Sequence, residues 1–169
     1  MKVLKFGGTS VGSVDSIRQI QHIIGQQTDD CIVVVSALGG ITDQLLKAAH
    51  LALEAGEEYM EVYQAIRCRH MDMVNTLITN PTTRQMLCLE LEGILDELRS
   101  ILFGVHLVKD LSDKTEAAIV SYGERMSSRI VTAALPGAVR KNSLQFIRTE
   151  HKQGQVLLNT ELTEQLIHH

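Results

Sequence analysis

The chain has 169 residues, 44% hydrophobic and 4% aromatic content, no Trp and a net charge of -4. That supplies one core of Leu, Ile, Val, Ala and Met, and no basic stripe with interleaved aromatics for nucleic acid. No apolar run is long enough to span a bilayer and no secretory signal precedes the first strand-like residues. Cys31, Cys68 and Cys88 lack CxxC pairing, as free thiols in a reducing compartment would. The expectation is a soluble, cytoplasmic, single-domain protein that engages neither nucleic acid nor membrane.

Val3, Leu4, Lys5 and Phe6 read as a short strand ended by Gly7 and Gly8. Val14, Ile17, Ile20 and Ile24 then recur at helical spacing, with Ser13 as N-cap and Gly25 as stop. The run Cys31–Val35 has the composition of a strand buried on both faces. Gly39 and Gly40 break it, Thr42 or Asp43 caps the next element, and Ile41, Leu45, Ala48, Ala49 and Ala52 line a second helix. Strand, loop, helix, repeated twice, predicts an α/β fold with a parallel sheet and right-handed crossovers.

The middle of the chain is helical. One helix spans residues 57–79 and ends at Asn80-Pro81. A second carries Leu87, Leu91, Ile94, Leu98 and Ile101 on one stripe and closes at Gly104, so that the two form an antiparallel hairpin beside the sheet. A third helix covers residues 116–135, before Pro136-Gly137. Residues 144–148 are expected as a strand, 156–158 as a shorter one, and 160–167 as a last helix capped by Thr160.

Three stretches carry candidate chemistry. A strand that enters a glycine turn and then a helix aims backbone N–H groups at one point beside a positive helix terminus. Gly7 and Gly8 would let a phosphate approach the main chain, Thr9 and Ser10 would add hydroxyls, and Lys5 an ammonium. The spacing is neither GxxxxGK[ST] nor GxGxxG, which excludes a P-loop or a dinucleotide site. The plain alternative is a tight turn with Lys5 in solvent; against it stands a lysine within an apolar strand, whose ammonium, if buried, needs an anion. Ser36 and Thr42 flank a second such turn at the carboxyl end of the next strand, where crevices of open α/β sheets lie; the plain alternative for each hydroxyl is a helix cap. Gly123 and Glu124 sit among Ile119, Val120, Met126, Ile130 and Val131 on a largely buried helix. A carboxylate there needs a partner, either a ligand or a structural pair with Arg125, Arg129 or Lys114. Cys68-Arg69-His70 lacks metal-site spacing, so no metal site is expected in the chain, and His168 and His169 are assigned no role.

Lys5-Phe6-Gly7-Gly8-Thr9-Ser10-Val11, then Val34-Val35-Ser36-Ala37 with Gly40-Ile41-Thr42, then Gly123-Glu124-x-Met126-Ser127, resemble in order and separation the aspartate kinases of the amino-acid kinase family. The opening residues and 98–107 also resemble the bifunctional aspartokinase–homoserine dehydrogenases. The resemblance implies a helix-rich, parallel-sheet amino-acid kinase-like fold, of which residues 1–169 form the N-terminal, aspartate-binding lobe only. It assigns Lys5 to the transferring phosphoryl group and Gly7, Gly8, Thr9 and Ser10 to the phosphate turn. Ser36 and Thr42 would hold L-aspartate, and Glu124 its α-ammonium. The implied reaction is phosphoryl transfer from MgATP to the side-chain carboxylate, giving 4-phospho-L-aspartate on the route to lysine, threonine and methionine, in a homo-oligomer. An acceptor carboxylate with a pKa of about 4 is already ionised at neutral pH, so no general base is required. The family's Asp-x-Arg pair is absent near Asn142. Its ATP-binding half and regulatory domains would follow His169. The chain alone is therefore expected to be inactive, with an exposed strand edge that promotes association. The alternative is a non-catalytic module that binds a small anion or amino acid.

Overall fold

A computed structural model of the chain describes residues 1–152 and 155–168, which fall into two units, Met1–Ala138 and Val139–His169. His169 lies outside the described residues. In the first unit, β1 (Lys2–Phe6) and β2 (Cys31–Val35) pair in parallel, Lys2 opposite Cys31 and Phe6 opposite Val35. The crossover is α1 (Val14–Gly25), capped as expected: Ser13 Oγ accepts the Ser16 N–H at 3.1 Å. The sheet corrects one expectation. Leu4, Phe6, Val33 and Val35 are half-buried, but Val3, Lys5, Ile32 and Val34 are exposed. A β-branched run reports strand propensity; it does not fix how many faces are covered.

The core is helical. It is built by α2 (Ile41–Ala52), α3 (Glu58–Leu77), α4 (Pro81–Val108) and α5 (Asp113–Ala134). Ile41, Leu45, Ile66, Leu91, Leu95, Leu98, Leu102, Ile119 and Met126 are its largest fully enclosed helical side chains. α3 and α4 pack together and onto α2 and α5, rather than beside the strands; it is α5 that meets β2. Arg67 on α3 and Glu92 on α4 tie the pair, with Nε to Oε2 at 3.0 Å.

Helix ends are the least legible feature. Asn80 caps α4 and Pro81 opens it, so the expected breaker is also a start signal. α4 then runs through Gly104 to Val108, because its buried stripe continues to Val105 and one helical glycine costs only about 1 kcal/mol. It stops at Lys109, whose φ of 58° is left-handed. The Lys109 ammonium offsets part of that strain by donating to the Ala52 carbonyl at 3.4 Å and to the Glu54 carbonyl. α2 is not capped by Thr42 or Asp43. Its N-cap is Gly40, at φ 80°, and Thr42 lies inside the helix. Ser112 starts α5 at Asp113, earlier than residue 116, by accepting the Thr115 N–H at 3.2 Å.

The second unit holds a 3-10 turn (Ser143–Gln145), an antiparallel hairpin of β3 (Thr149–Lys152) and β4 (Gln155–Leu158), and α6 (Thr160–Ile167). The strand expected over 144–148 starts later. Asn142 Oδ1 accepts the Leu144 N–H at 3.2 Å, and the Phe146 and Ile147 amides turn back to the Ser143 carbonyl. This local capping outcompetes an extended backbone. Asn159, not Thr160, caps α6. Among the described residues no helix is long and apolar enough to cross a membrane.

Candidate functional site: two glycine turns and a helix

The parallel ladder continues one step beyond the strands, with the Ser36 N–H donating to the Phe6 carbonyl at 3.1 Å. That bond brings the turn after β1 against the turn after β2. A Cβ on Gly8 would lie 3.2 Å from the Ala37 carbonyl oxygen, and one on Gly39 would lie 3.2 Å from that of Gly8. Glycine is what lets the two main chains touch. In the first turn the Ser10 and Val11 amides fold back onto the Gly7 carbonyl, at 2.9 and 3.2 Å. The Gly8 and Thr9 amides donate to nothing among the described residues, and the space a Gly7 Cβ would point into is empty out to 4 Å. Beside Phe6, Thr9 and Ser10 a depression of about 260 Å³ opens against α1.

Lys5 stands at the end of β1 opposite Val34, directly before this turn. Its side chain is exposed, not buried as the apolar strand around it suggests, and it makes no ion pair or hydrogen bond among the described residues. Exposure follows from the open sheet face that it shares with Val3.

The helix α5 grips the second turn. Gly123 lies against Ala37 so closely that a Cβ there would fall 2.6 Å from the Ala37 Cβ and 3.4 Å from Leu45 Cδ1. One residue on, Glu124 Oε1 accepts the Ala37 N–H at 3.2 Å. Glu124 is exposed, and the structural ion pair considered from sequence is not formed: Arg125 Nη2 pairs with Glu97 at 2.7 Å and Arg129 Nε with Glu90 at 2.5 Å. The Arg125 hydrogen bond holds the Glu97 carboxyl below the usual carboxylate range. Ser127, fully buried, donates its hydroxyl to the Ser36 carbonyl at 2.7 Å.

The fold thus gathers Lys5, Gly7, Gly8, Thr9, Ser10 and Ser36 at the carboxyl end of one strand pair, with Glu124 bonded into the second turn. Thr42 belongs to the first helical turn after it. The hydroxyls of Thr9, Ser10, Ser36 and Thr42 have no hydrogen-bond partner among the described residues. Sequence reasoning missed the direct packing of Gly8 on Gly39, which pairs residues 31 apart, and the Arg69 guanidinium that donates to the Gly12 carbonyl at 3.2 Å. It also left Ser127 without a role, although spacings of three and four from Glu124 and Gly123 put all three on one helical face.

Gly123→Ala is expected to destabilise the chain by about 1–2 kcal/mol, although helix propensity alone favours alanine by about 1 kcal/mol. Urea unfolding reads the sign directly; a stabilised variant would mean that α5 can back away from Ala37 freely.

The sequence pattern of the amino acid kinase family matches residues 1–169. Aspartokinase 2 of the Arabidopsis thaliana chloroplast is 32% identical over 137 residues, 79% of this chain and 24% of its own length. The bifunctional aspartokinase/homoserine dehydrogenase of Buchnera aphidicola is 30% identical over 141 residues, 80% of this chain and 17% of its own. Among solved structures, Escherichia coli aspartokinase III in complex with aspartate and ADP superposes with a TM-score of 0.84 at 24% identity, over 99% of this chain and 37% of that one. The chain thus spans about a quarter of the length of the plant relative. With the matching pattern over its whole length, and with the helix-rich α/β fold and parallel strand pair in place, the chain belongs to the amino acid kinase family.

Proposed function

We propose that this chain is the aspartate-binding portion of an aspartate kinase, the enzyme that transfers the γ-phosphoryl group of MgATP to the side-chain carboxylate of L-aspartate. The observation that carries the proposal is the pair of glycine turns packed at one sheet end, one with unpartnered amides beside a lysine, the other with a carboxylate on its backbone. An anion suits the first and an ammonium the second. The relatives are named aspartokinases, and the E. coli structure is described as a complex with aspartate and ADP.

In this reading the amides of Gly8 and Thr9, the hydroxyls of Thr9 and Ser10, and the open approach over Gly7 receive the phosphoryl oxygens. Lys5 neutralises charge on the group in transfer. Ser36 and Thr42 bind the substrate, and Glu124 holds its α-ammonium with Oε2 while Oε1 stays on Ala37. The acceptor carboxylate is ionised at neutral pH, so the residues need only align it and offset negative charge. Nucleotide-base contacts are assigned to residues of the longer protein, outside 1–169. Among the described residues no three His, Cys, Asp or Glu side chains gather as a metal site. In this proposal Mg²⁺ enters with the nucleotide as MgATP, held through the phosphate oxygens, as is usual for this ion. Assembly into a homo-oligomer and residence in the cytoplasm belong to the same proposal.

Two measurements test it together. The 169-residue chain is expected to bind L-aspartate by calorimetry. A chimera joining residues 1–138 to the remainder of Arabidopsis aspartokinase 2 is expected to release ADP from MgATP only when L-aspartate is present. Binding without turnover in a folded chimera would favour a non-catalytic amino-acid-binding module.

A further inference from the structure

The Ser36 carbonyl and the Ala37 N–H belong to one peptide unit, and α5 holds both of its poles. Ser127 Oγ donates to the carbonyl at 2.7 Å, and Glu124 Oε1 accepts the N–H at 3.2 Å. The same Ser127 hydroxyl lies 3.3 Å from the Glu124 carbonyl, and the missing Cβ of Gly123 lets Ala37 close the contact. Three residues on one helical face therefore fix the plane of one peptide.

The two grips differ in kind. Glu124 is exposed and ionisable, and its second oxygen has no partner among the described residues. Ser127 is fully buried and has no route to a ligand. We infer that Ser127 is a positioning residue. By locking the Ser36–Ala37 peptide from below, it orients the Ala37 N–H that holds Glu124 Oε1, and so aims Oε2 at an ammonium group. The ammonium part of this inference rests on the proposed aspartate site. Without the Ser127 hydroxyl the part-buried Ser36 carbonyl loses its hydrogen bond to α5, and the peptide can rotate about its flanking bonds. The Glu124 carboxylate then loses its fixed direction.

The test uses the 169-residue chain with Ser127→Ala, and with Ser127→Cys as a variant that keeps the shape and a weak donor. Calorimetric titrations compare L-aspartate with succinate, which has both carboxylates and no ammonium. Amide exchange is followed at Ala37 in the ligand-free chain. Ser127→Ala is expected to weaken L-aspartate about tenfold, the scale of one lost hydrogen bond, with Ser127→Cys in between. Succinate binding should stay within about twofold, and Ala37 exchange should quicken about tenfold while the Ile130 amide keeps its protection. Equal weakening of both ligands would reveal a general structural role and overturn the inference. Unchanged exchange at Ala37 would overturn it whatever the ligands do. If the unsubstituted chain binds no L-aspartate while Ala37 exchange still responds to Ser127→Ala, the aspartate reading fails and the hold of Ser127 on the turn stands.

Discussion

Lys5→Ala is expected to lower aspartate-dependent ADP release by about two to three orders of magnitude in the chimera that carries a nucleotide half, the range seen when one group that stabilises developing charge is removed. The position explains both the size and the selectivity of the effect. Lys5 is the fourth residue of β1, in register with Val34, and the next residue but one begins the glycine turn. Its exposed ammonium makes no ion pair among the described residues, so removing it breaks nothing in the fold. Surface substitutions of this kind change stability by less than about 0.5 kcal/mol. The thermal midpoint of the 169-residue chain should therefore stay unchanged, and so should its affinity for L-aspartate, which Ser36, Thr42 and Glu124 are assigned to hold. Lys5→Arg separates charge from geometry: a planar guanidinium retains the charge but not the compact ammonium, so turnover should fall between the two. Turnover within about threefold of the parent for Lys5→Ala would remove Lys5 from the phosphoryl site.

Much of this site is legible in the sequence because its signals are local. Two strand–glycine–helix units in the first fifty residues dictate two turns at the same end of a parallel sheet, and the pairing Phe6 to Val35 brings them together. Gly123 stands out within a helix for its propensity cost, and Glu124 stands out as a carboxylate among apolar neighbours in sequence, although the fold leaves it exposed. What the local pattern leaves open is the direction of exposure. The same Val-Ile run forms a strand whether one face or two are covered, so the burial of Val34 and Lys5 depends on contacts that no short window encodes. Caps escape a local reading for a related reason. Gly40 ends the β2 turn in a left-handed conformation that also begins α2, which leaves Thr42 inside the helix, and the Asn142 side chain converts an apolar run into a 3-10 turn. Gly104 reads as a stop in isolation, yet the buried stripe of α4 carries the helix past it to a lysine cap.

His70 gives the fold a pH dependence that sequence alone does not foretell. It lies on α3, fully buried, with Nδ1 2.7 Å from the Ile66 carbonyl. A carbonyl only accepts, so Nδ1 carries the proton, and Nε2 is a buried acceptor without a partner. Burial, which penalises the imidazolium, lowers the pKa to about 4; the Ile66 carbonyl opposes this and the nearby Arg69 charge adds to it. In the unfolded chain the same imidazole titrates near 6.5. Above pH 6.5 both states are neutral and His70 contributes no slope. Between pH 6.5 and about 4 the unfolded chain takes up a proton that the folded chain refuses, so stability falls as the pH falls. Below about 4 both states are protonated and the contribution levels off, after a total loss of about 3 kcal/mol. Carboxylates such as Glu97, held low by Arg125, lose their own contribution at more acidic pH, which is why the comparison needs a variant. Urea unfolding of the parent chain and of His70→Leu at pH 7.5, 6.5, 5.5 and 4.5 should give curves that converge at the alkaline end and separate by about 1.4 kcal/mol per pH unit below 6.5, with the leucine variant losing less. Parallel pH profiles would mean that the His70 imidazole reaches water in the folded chain and is not held in the core by α3.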